Sequence, residues 1–233
     1  MADRFRLVAC GLVVAGFCAV AVADGAAPEP VTLGSVTIYP ADRSLVVTGW
    51  VNQASGLIEL LACGPMGKTH ESVFLLTADP LDVQAGLLLL GLKPGKGPTD
   101  AGVGRPEGSG VRLTVEWSLD GTNHVARGEE FVQNTDEDKV LPATDWVFTG
   151  SKFSEGRFGA SLDESFVATY WDPWAIINLP LECGANDEIL VVREGFTPPE
   201  GTPIRMRFTV GKEVSEGVQE EAGIGEKTAE DAE

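Results

Sequence analysis

Along most of this chain apolar and polar residues alternate with a period of two, the pattern of half-buried β-strands. Val31 to Tyr39 and Ser44 to Val51 read as strands around a turn at Pro40–Arg43. Leu57 to Cys63 and Thr69 to Thr77 read as a second pair joined through Gly64–Lys68, so the early sheet is expected to grow by local hairpins. Val111, Leu113, Val115 and Trp117 alternate with Arg112, Thr114, Glu116 and Ser118, and Asp120-Gly121 supplies a hairpin turn. Further strands are expected near 146–148, 157–161, 166–171, 189–192 and 204–210. In the last, Ile204, Met206, Phe208 and Val210 oppose Arg205, Arg207 and Thr209.

The period changes between Asp79 and Leu92. Asp79 suits an N-cap, Pro80 suits the first helical position, and Asp82 suits the positive helix end. The spacing predicts a helix over about 80–91. Its run Leu81, Val83, Ala85 and Leu87 to Leu90 is apolar nearly all round, which predicts full burial against the sheet. Gly86 would permit close approach to a strand, and Gly91 suits the C-terminal stop. The fold class expected is therefore α+β: a mostly antiparallel β-sheet domain with one buried apolar helix. Lys93 to Gly110 holds six glycines and three prolines and is expected to be a mobile surface loop.

The chain ends change the picture again. Arg4 and Arg6, the apolar run Leu7 to Val22 and the small-residue pattern Ala21-Val22-Ala23 read as a signal peptide over residues 1–23. The product is then expected to be exported, periplasmic or secreted, with no membrane span after cleavage. Cys10 and Cys18 lack the surroundings of an acylation site. Residues 24–30 read as a linker, 31–211 as a single β-rich domain, and 212–233 as an acidic tail too polar to order itself. Thirty-five acidic residues against 17 basic ones give a formal charge of −18. Nucleic acid demands basic patches, so it is excluded as a partner, and anionic lipid is disfavoured.

Candidate chemistry is sparse. Lys68-Thr-His-Glu-Ser72 is the densest reactive block, and His70, Glu71 and Ser72 are the catalytic candidates. Read as a strand, the block puts His70 and Ser72 on one face and Glu71 on the other, which separates the members of a triad. No serine sits in a nucleophile elbow. A structural role, holding the hairpin, is the expected one. Cys63 and His70 are the metal candidates, but no paired His or Cys spacing supports a site, and no cofactor is expected. Cys63 and Cys183 are either a disulfide closing a loop of roughly 120 residues or two buried thiols. Trp171 and Trp174 in Tyr170-Trp-Asp-Pro-Trp174 could form a ligand platform or serve as core and corner plugs.

Several segments together resemble a known family. Gly56-Leu-Ile-Glu-Leu-Leu-Ala-Cys-Gly64, Gly67-Lys-Thr-His-Glu-Ser-Val73 and the leucine-rich helix ending Gly91-Leu-Lys-Pro-Gly95 resemble the YdjY-like domain of exported bacterial proteins. Trp146-Val-Phe-Thr-Gly-Ser151 and Asp172-Pro-Trp-Ala-Ile-Ile-Asn-Leu-Pro180 look like its later segments, so the likeness runs over most of residues 31–210. The resemblance implies an exported domain and carries no catalytic residues over. Some relatives bear a ferredoxin-like label, but an iron–sulfur cluster needs about four cysteine ligands, and only Cys63 and Cys183 lie beyond the leader. The function expected is a non-catalytic binding or scaffold domain with a protein, small-molecule or glycan partner. The alternatives are an enzyme or redox or metal accessory using Lys68–Ser72, and a carbohydrate- or peptide-binding module using Trp171 and Trp174.

Overall fold

The structure, a computed structural model, describes residues 28–215. In chain order its strands and helices are β1 (Val31–Leu33), β2 (Val36–Tyr39), β3 (Ser44–Val51), β4 (Leu60–Cys63), β5 (Ser72–Leu76), α1 (Pro80–Leu89), β6 (Gly110–Leu119), β7 (Thr122–Arg127), β8 (Val132–Asn134), β9 (Lys139–Val140), β10 (Trp146–Phe148), β11 (Phe153–Ser154), β12 (Arg157–Phe158), α2 (Gly159–Asp163), β13 (Ser165–Ala168), β14 (Ile177–Asn178), β15 (Leu190–Val192) and β16 (Pro203–Val210). Eight of them pair in the order β3-β16-β6-β10-β14-β13-β4-β5, and β5 pairs back onto β3, which closes a barrel.

This corrects the expected α+β class: the chain is mostly β and its sheet is a closed barrel. The pairing is also less local than hairpins alone would give. β4 and β5 lie side by side but run parallel, with Leu60 opposite Ser72 and Cys63 opposite Leu75. β13 and β14 are parallel as well. The reason lies in the connection through 64–71, where a short 3₁₀ turn over Thr69–Glu71 carries the chain back before β5 begins. β4, β5 and β13 are buried at every position, because the interior covers one face and loops cover the other.

The long strands keep the period read from sequence. Leu113 and Val115 of β6, Val47 of β3, and Met206 and Phe208 of β16 fill the interior, where Phe74 meets Phe131 edge to face at 5.0 Å. Closure removes the edges that these eight strands would leave in an open sheet, while β1 and β7, each paired on one side, stay at the margins.

α1 starts as expected, with Asp79 as N-cap accepting a hydrogen bond from the Leu81 N–H, and Pro80 in the first turn. Gly86 lies so close to β3 that a Cβ there would sit 2.8 Å from Leu45. Full burial is corrected, however. Only Pro80, Val83, Gly86 and Leu87 are buried, while Leu81, Leu88 and Leu89 are 49, 46 and 70% exposed. Asp82 accepts hydrogen bonds from the N–H and hydroxyl of Ser35, fastening the β1–β2 turn to the helix.

The glycine-rich segment 93–110 is pinned rather than loose. Lys96 and Glu107 exchange backbone hydrogen bonds, the Gly102 N–H donates to the Trp171 carbonyl at 2.8 Å, and Arg105 Nε donates to the Pro180 carbonyl. The signal-peptide reading of 1–23 lies outside the described residues, as do residues 24–27 of the linker and 216–233 of the tail. The tail's first residues are paired, with Val214 and Gly108 exchanging hydrogen bonds at 2.8 Å. No helix among the described residues is long and apolar enough to cross a membrane.

Candidate functional site

The two blocks singled out in the sequence meet in space. Lys68, just before the 3₁₀ turn of the β4–β5 connection, and Tyr170, Asp172, Pro173 and Trp174, in the loop between β13 and β14, line one cavity of about 220 Å³. Glu59 and Leu60 at the start of β4 form another wall, and Asp100 and Ala101 of the pinned glycine-rich segment close it with Asp163 from α2. Several elements distant in sequence therefore build the site, each held by its own backbone contacts.

The loop 169–176 is fixed from below by Asn178. Its side-chain oxygen accepts from the Asp172 N–H at 2.8 Å, and its amide donates to the Asp172 carbonyl at 3.0 Å. Asp172 Oδ1 in turn accepts from the Trp174 N–H at 2.8 Å. Its other oxygen makes no hydrogen bond to any described residue. Trp174 forms a wall of the cavity, with the Lys152 ammonium 4.2 Å from a ring centroid.

Charge dominates the cavity. Four carboxylates, of Glu59, Asp100, Asp163 and Asp172, face one lysine among its lining residues. Lys68 Nζ donates to Glu59 at 2.6 Å. Burial pulls the Lys68 pKa down, but the hydrogen bond and charge of Glu59 together with the charges of Asp172 and Glu71 outweigh it and the net shift is upward. Burial pushes the Asp172 carboxyl up, and the charges of Asp163 and Glu59 add to the rise, against the Trp174 N–H and Lys68. Glu71, just behind the wall, is raised by burial and then by a hydrogen bond to Glu59 and the charge of that neighbour. The Tyr170 phenol is raised too, by burial and by Asp187, Glu59 and Asp100. The site thus holds more negative charge than its own cations compensate.

The other candidates are placed elsewhere. The segment 69–71 is a 3₁₀ turn, not a strand, so strand alternation does not separate His70 from Glu71. His70 Nε2 lies 3.2 Å from Glu71 Oε1, with the imidazole 75% exposed. Ser72 is fully buried and its hydroxyl donates to the Lys68 carbonyl at 2.9 Å. The three do not form a nucleophilic constellation, because Ser72 points into the fold and His70 into solvent. Asn52 donates to the carbonyls of Thr69 and Ser72 and so holds the turn.

Cys63 is buried in β4 and Cys183 lies in a 3₁₀ turn, and both are free thiols rather than the two halves of a disulfide. Burial pushes each thiol up to about 11, which suits inert small apolar groups. Cys63 and His70 do not converge on a metal position, and no trio of His, Cys, Asp or Glu among the described residues does so. Trp171 is 5% exposed and donates its indole N–H to the Leu179 carbonyl at 2.8 Å. The two-tryptophan platform is thereby reduced to Trp174 alone.

Sequence reasoning missed Glu59, Asp100 and Asp163. Glu59 carried a signal, being the lone charge inside the apolar run Leu57–Cys63. Asp100 and Asp163 carried none, since each reaches the cavity only through the closure of the fold.

A family model, that of the YdjY domain, matches residues 41–209. No curated protein and no solved structure matches the chain.

Proposed function

This chain belongs to the YdjY domain family, and from that premise we propose that it is an exported binding domain whose cavity takes a small organic cation carrying an ammonium or guanidinium group. The export half of this reading rests on Arg4, Arg6 and the apolar run ending Ala21-Val22-Ala23. The observation that carries the ligand half is the uncompensated charge beside an aromatic wall. Four carboxylates and Trp174 surround about 220 Å³, and the one lining lysine is already paired with Glu59. A bound cation would neutralise the Asp172 carboxylate, which burial and the charges of Asp163 and Glu59 push toward protonation. The aromatic wall and the spread of the carboxylates favour an organic cation over a metal ion, which needs several oxygens at one point. Binding is favoured over nucleophilic chemistry because the hydroxyl of Ser72, the nucleophile candidate of the reactive block, is buried and committed to the Lys68 carbonyl.

Calorimetric titration of the full chain with 1,4-diaminobutane and with the uncharged diol of the same length tests the reading. The diamine is expected to bind and the diol to give no heat. Asp172→Asn should weaken the diamine about tenfold, a loss of about 1.4 kcal/mol. Equal behaviour of diamine and diol, or an unchanged affinity in Asp172→Asn, would overturn it.

A further inference from the structure

A second cavity, of about 230 Å³, lies beside the three-stranded sheet β15-β8-β9 and shares no lining residue with the acidic one. Its walls come from the end of β8, the turn into β9, the chain just after β9, and the 3₁₀ turn over Glu182–Ala185 that follows β14.

A buried amide opens onto it. Asn134 is 6% exposed, and its side-chain oxygen accepts from the Asp136 N–H at 3.0 Å, which fixes that oxygen on the β8–β9 turn. Its nitrogen donates to no described residue, and it is not sealed inside the fold, because Asn134 lines the cavity. Native folds seldom leave such a donor unmade, so one aimed into a cavity marks the place of an acceptor.

Two opposite charges at the mouth do not use each other. Glu137 and Lys139 both line the cavity and are exposed, and neither makes an ion pair or a side-chain hydrogen bond with a described residue. Burial raises the Cys183 thiol most, and the Glu137 charge adds to the rise, so this carboxylate lies near the floor. The remaining lining charge, Glu182, is met by Arg105 at 2.8 Å. One free cation therefore stands against one free anion, whereas the acidic cavity has an excess of carboxylates.

The floor is apolar. Leu141 and Leu181 are buried, Pro142 extends their surface, and the Cys183 thiol completes it as a small, protonated group. The volume falls below the roughly 300–1,000 Å³ of sites for drug-sized molecules, so the occupant is small.

We propose that this cavity binds a small zwitterion, an α-amino acid with an apolar side chain, whose carboxylate accepts from Asn134 and Lys139, whose ammonium meets Glu137, and whose side chain lies on Leu141, Leu181 and Cys183. A cation alone would leave the Asn134 donor and Lys139 without an acceptor, and a carboxylate alone would face Glu137, so the lining selects against both. The site is separate from the cation-binding reading and uses none of its residues.

Calorimetric titration of the full chain with L-leucine tests it, against 4-methylpentanoate, which lacks the ammonium, and 3-methylbutylamine, which lacks the carboxylate. Leucine is expected to bind, and each truncated form to bind at least about fivefold more weakly. Asn134→Asp keeps the acceptor for the Asp136 N–H and replaces the donor with an anion, and should weaken leucine about tenfold. That position is buried, so Glu137→Gln and Lys139→Gln, both exposed and checked for unchanged melting, carry the test if the Asn134 variant fails to fold. Each should weaken leucine about threefold, as expected for a partly solvated ion pair. Saturating leucine should also slow iodoacetamide labelling of Cys183 at pH 9, read by peptide mapping. The proposal is overturned if leucine does not bind, if either truncated form binds as well, if the Glu137 and Lys139 variants both keep the parent affinity, or if Cys183 labelling is unchanged. It is also overturned if Asp172→Asn abolishes the leucine signal, which would place the amino acid in the acidic cavity.

Discussion

At the scale of single residues, Asp172 is the most informative position, because one side chain organises a loop and titrates in the cavity. Its raised pKa has a definite consequence for stability. The folded protein holds the Asp172 proton more tightly than the unfolded chain, so between the ordinary carboxylate range and the raised folded value folding takes up protons. This contribution therefore grows as pH falls from neutral through the folded pKa, and is complete below the unfolded one. Glu71 acts in the same sense. Asp172→Asn keeps an oxygen to accept from the Trp174 N–H and deletes the titration. The variant is expected to melt above the parent at neutral pH, with the difference shrinking toward zero as pH approaches 4. Parallel melting curves across that range check it, and a parent advantage at neutral pH would contradict it. The sequence pointed at this residue only through its neighbours. Tyr170-Trp-Asp-Pro-Trp174 stood out for its aromatics, yet Trp171 serves the core through Leu179 and the aspartate between the two rings carries the charge.

At the scale of elements, local signals were legible and partner choice was not. The cap, the first-turn proline and the close approach at Gly86 of α1 follow from single residues, and the structure has all three. Which face of the helix is covered could not be read, because leucines on every side give no amphipathic stripe to choose between. Packing against Val36, Ile38 and Leu45 selects the face around Gly86, and leaves Leu88 and Leu89 outside. Leu87→Ala is accordingly expected to cost about 2–5 kcal/mol, while Leu89→Ala should stay within about 0.5 kcal/mol. Urea unfolding of the two variants decides the matter, and equal losses would mean that the covered face has been misassigned. The 69–71 turn is the counterpart failure. Thr69 to Leu76 alternates well enough to pass for one strand, but the early residues wind into a 3₁₀ turn that Asn52 satisfies from a distant position.

At the scale of the whole molecule, barrel closure depends on a fork that no local pattern announces. β6 pairs with β10 at Gly110 and Val111, then abandons it for β7 from Thr114 onward. A gap opens between β7 and β10 where the ladder changes partner, and buried polar groups fill it. Glu129 is fully buried, accepts from the Thr144 N–H at 3.1 Å and the Trp146 indole at 3.3 Å, and pairs with Arg127. Arg127 also donates to the Thr144 carbonyl and lies 3.5 Å from Asp145. The carboxylate thus ties β7 to the chain entering β10 and offsets the cost of its own burial with several charge-assisted bonds. Removing Glu129 leaves the buried Trp146 indole and the Thr144 N–H without their acceptor and takes from Arg127 its nearest carboxylate, so Glu129→Ala should cost about 3–5 kcal/mol. Replacing both Arg127 and Glu129 by leucine or methionine removes the charges together, and should cost clearly less than the sum of the single losses. A double-mutant cycle in denaturant measures the difference. Strict additivity would mean that the two charges do not act as a unit and that the fork is held by apolar packing around Trp146 alone.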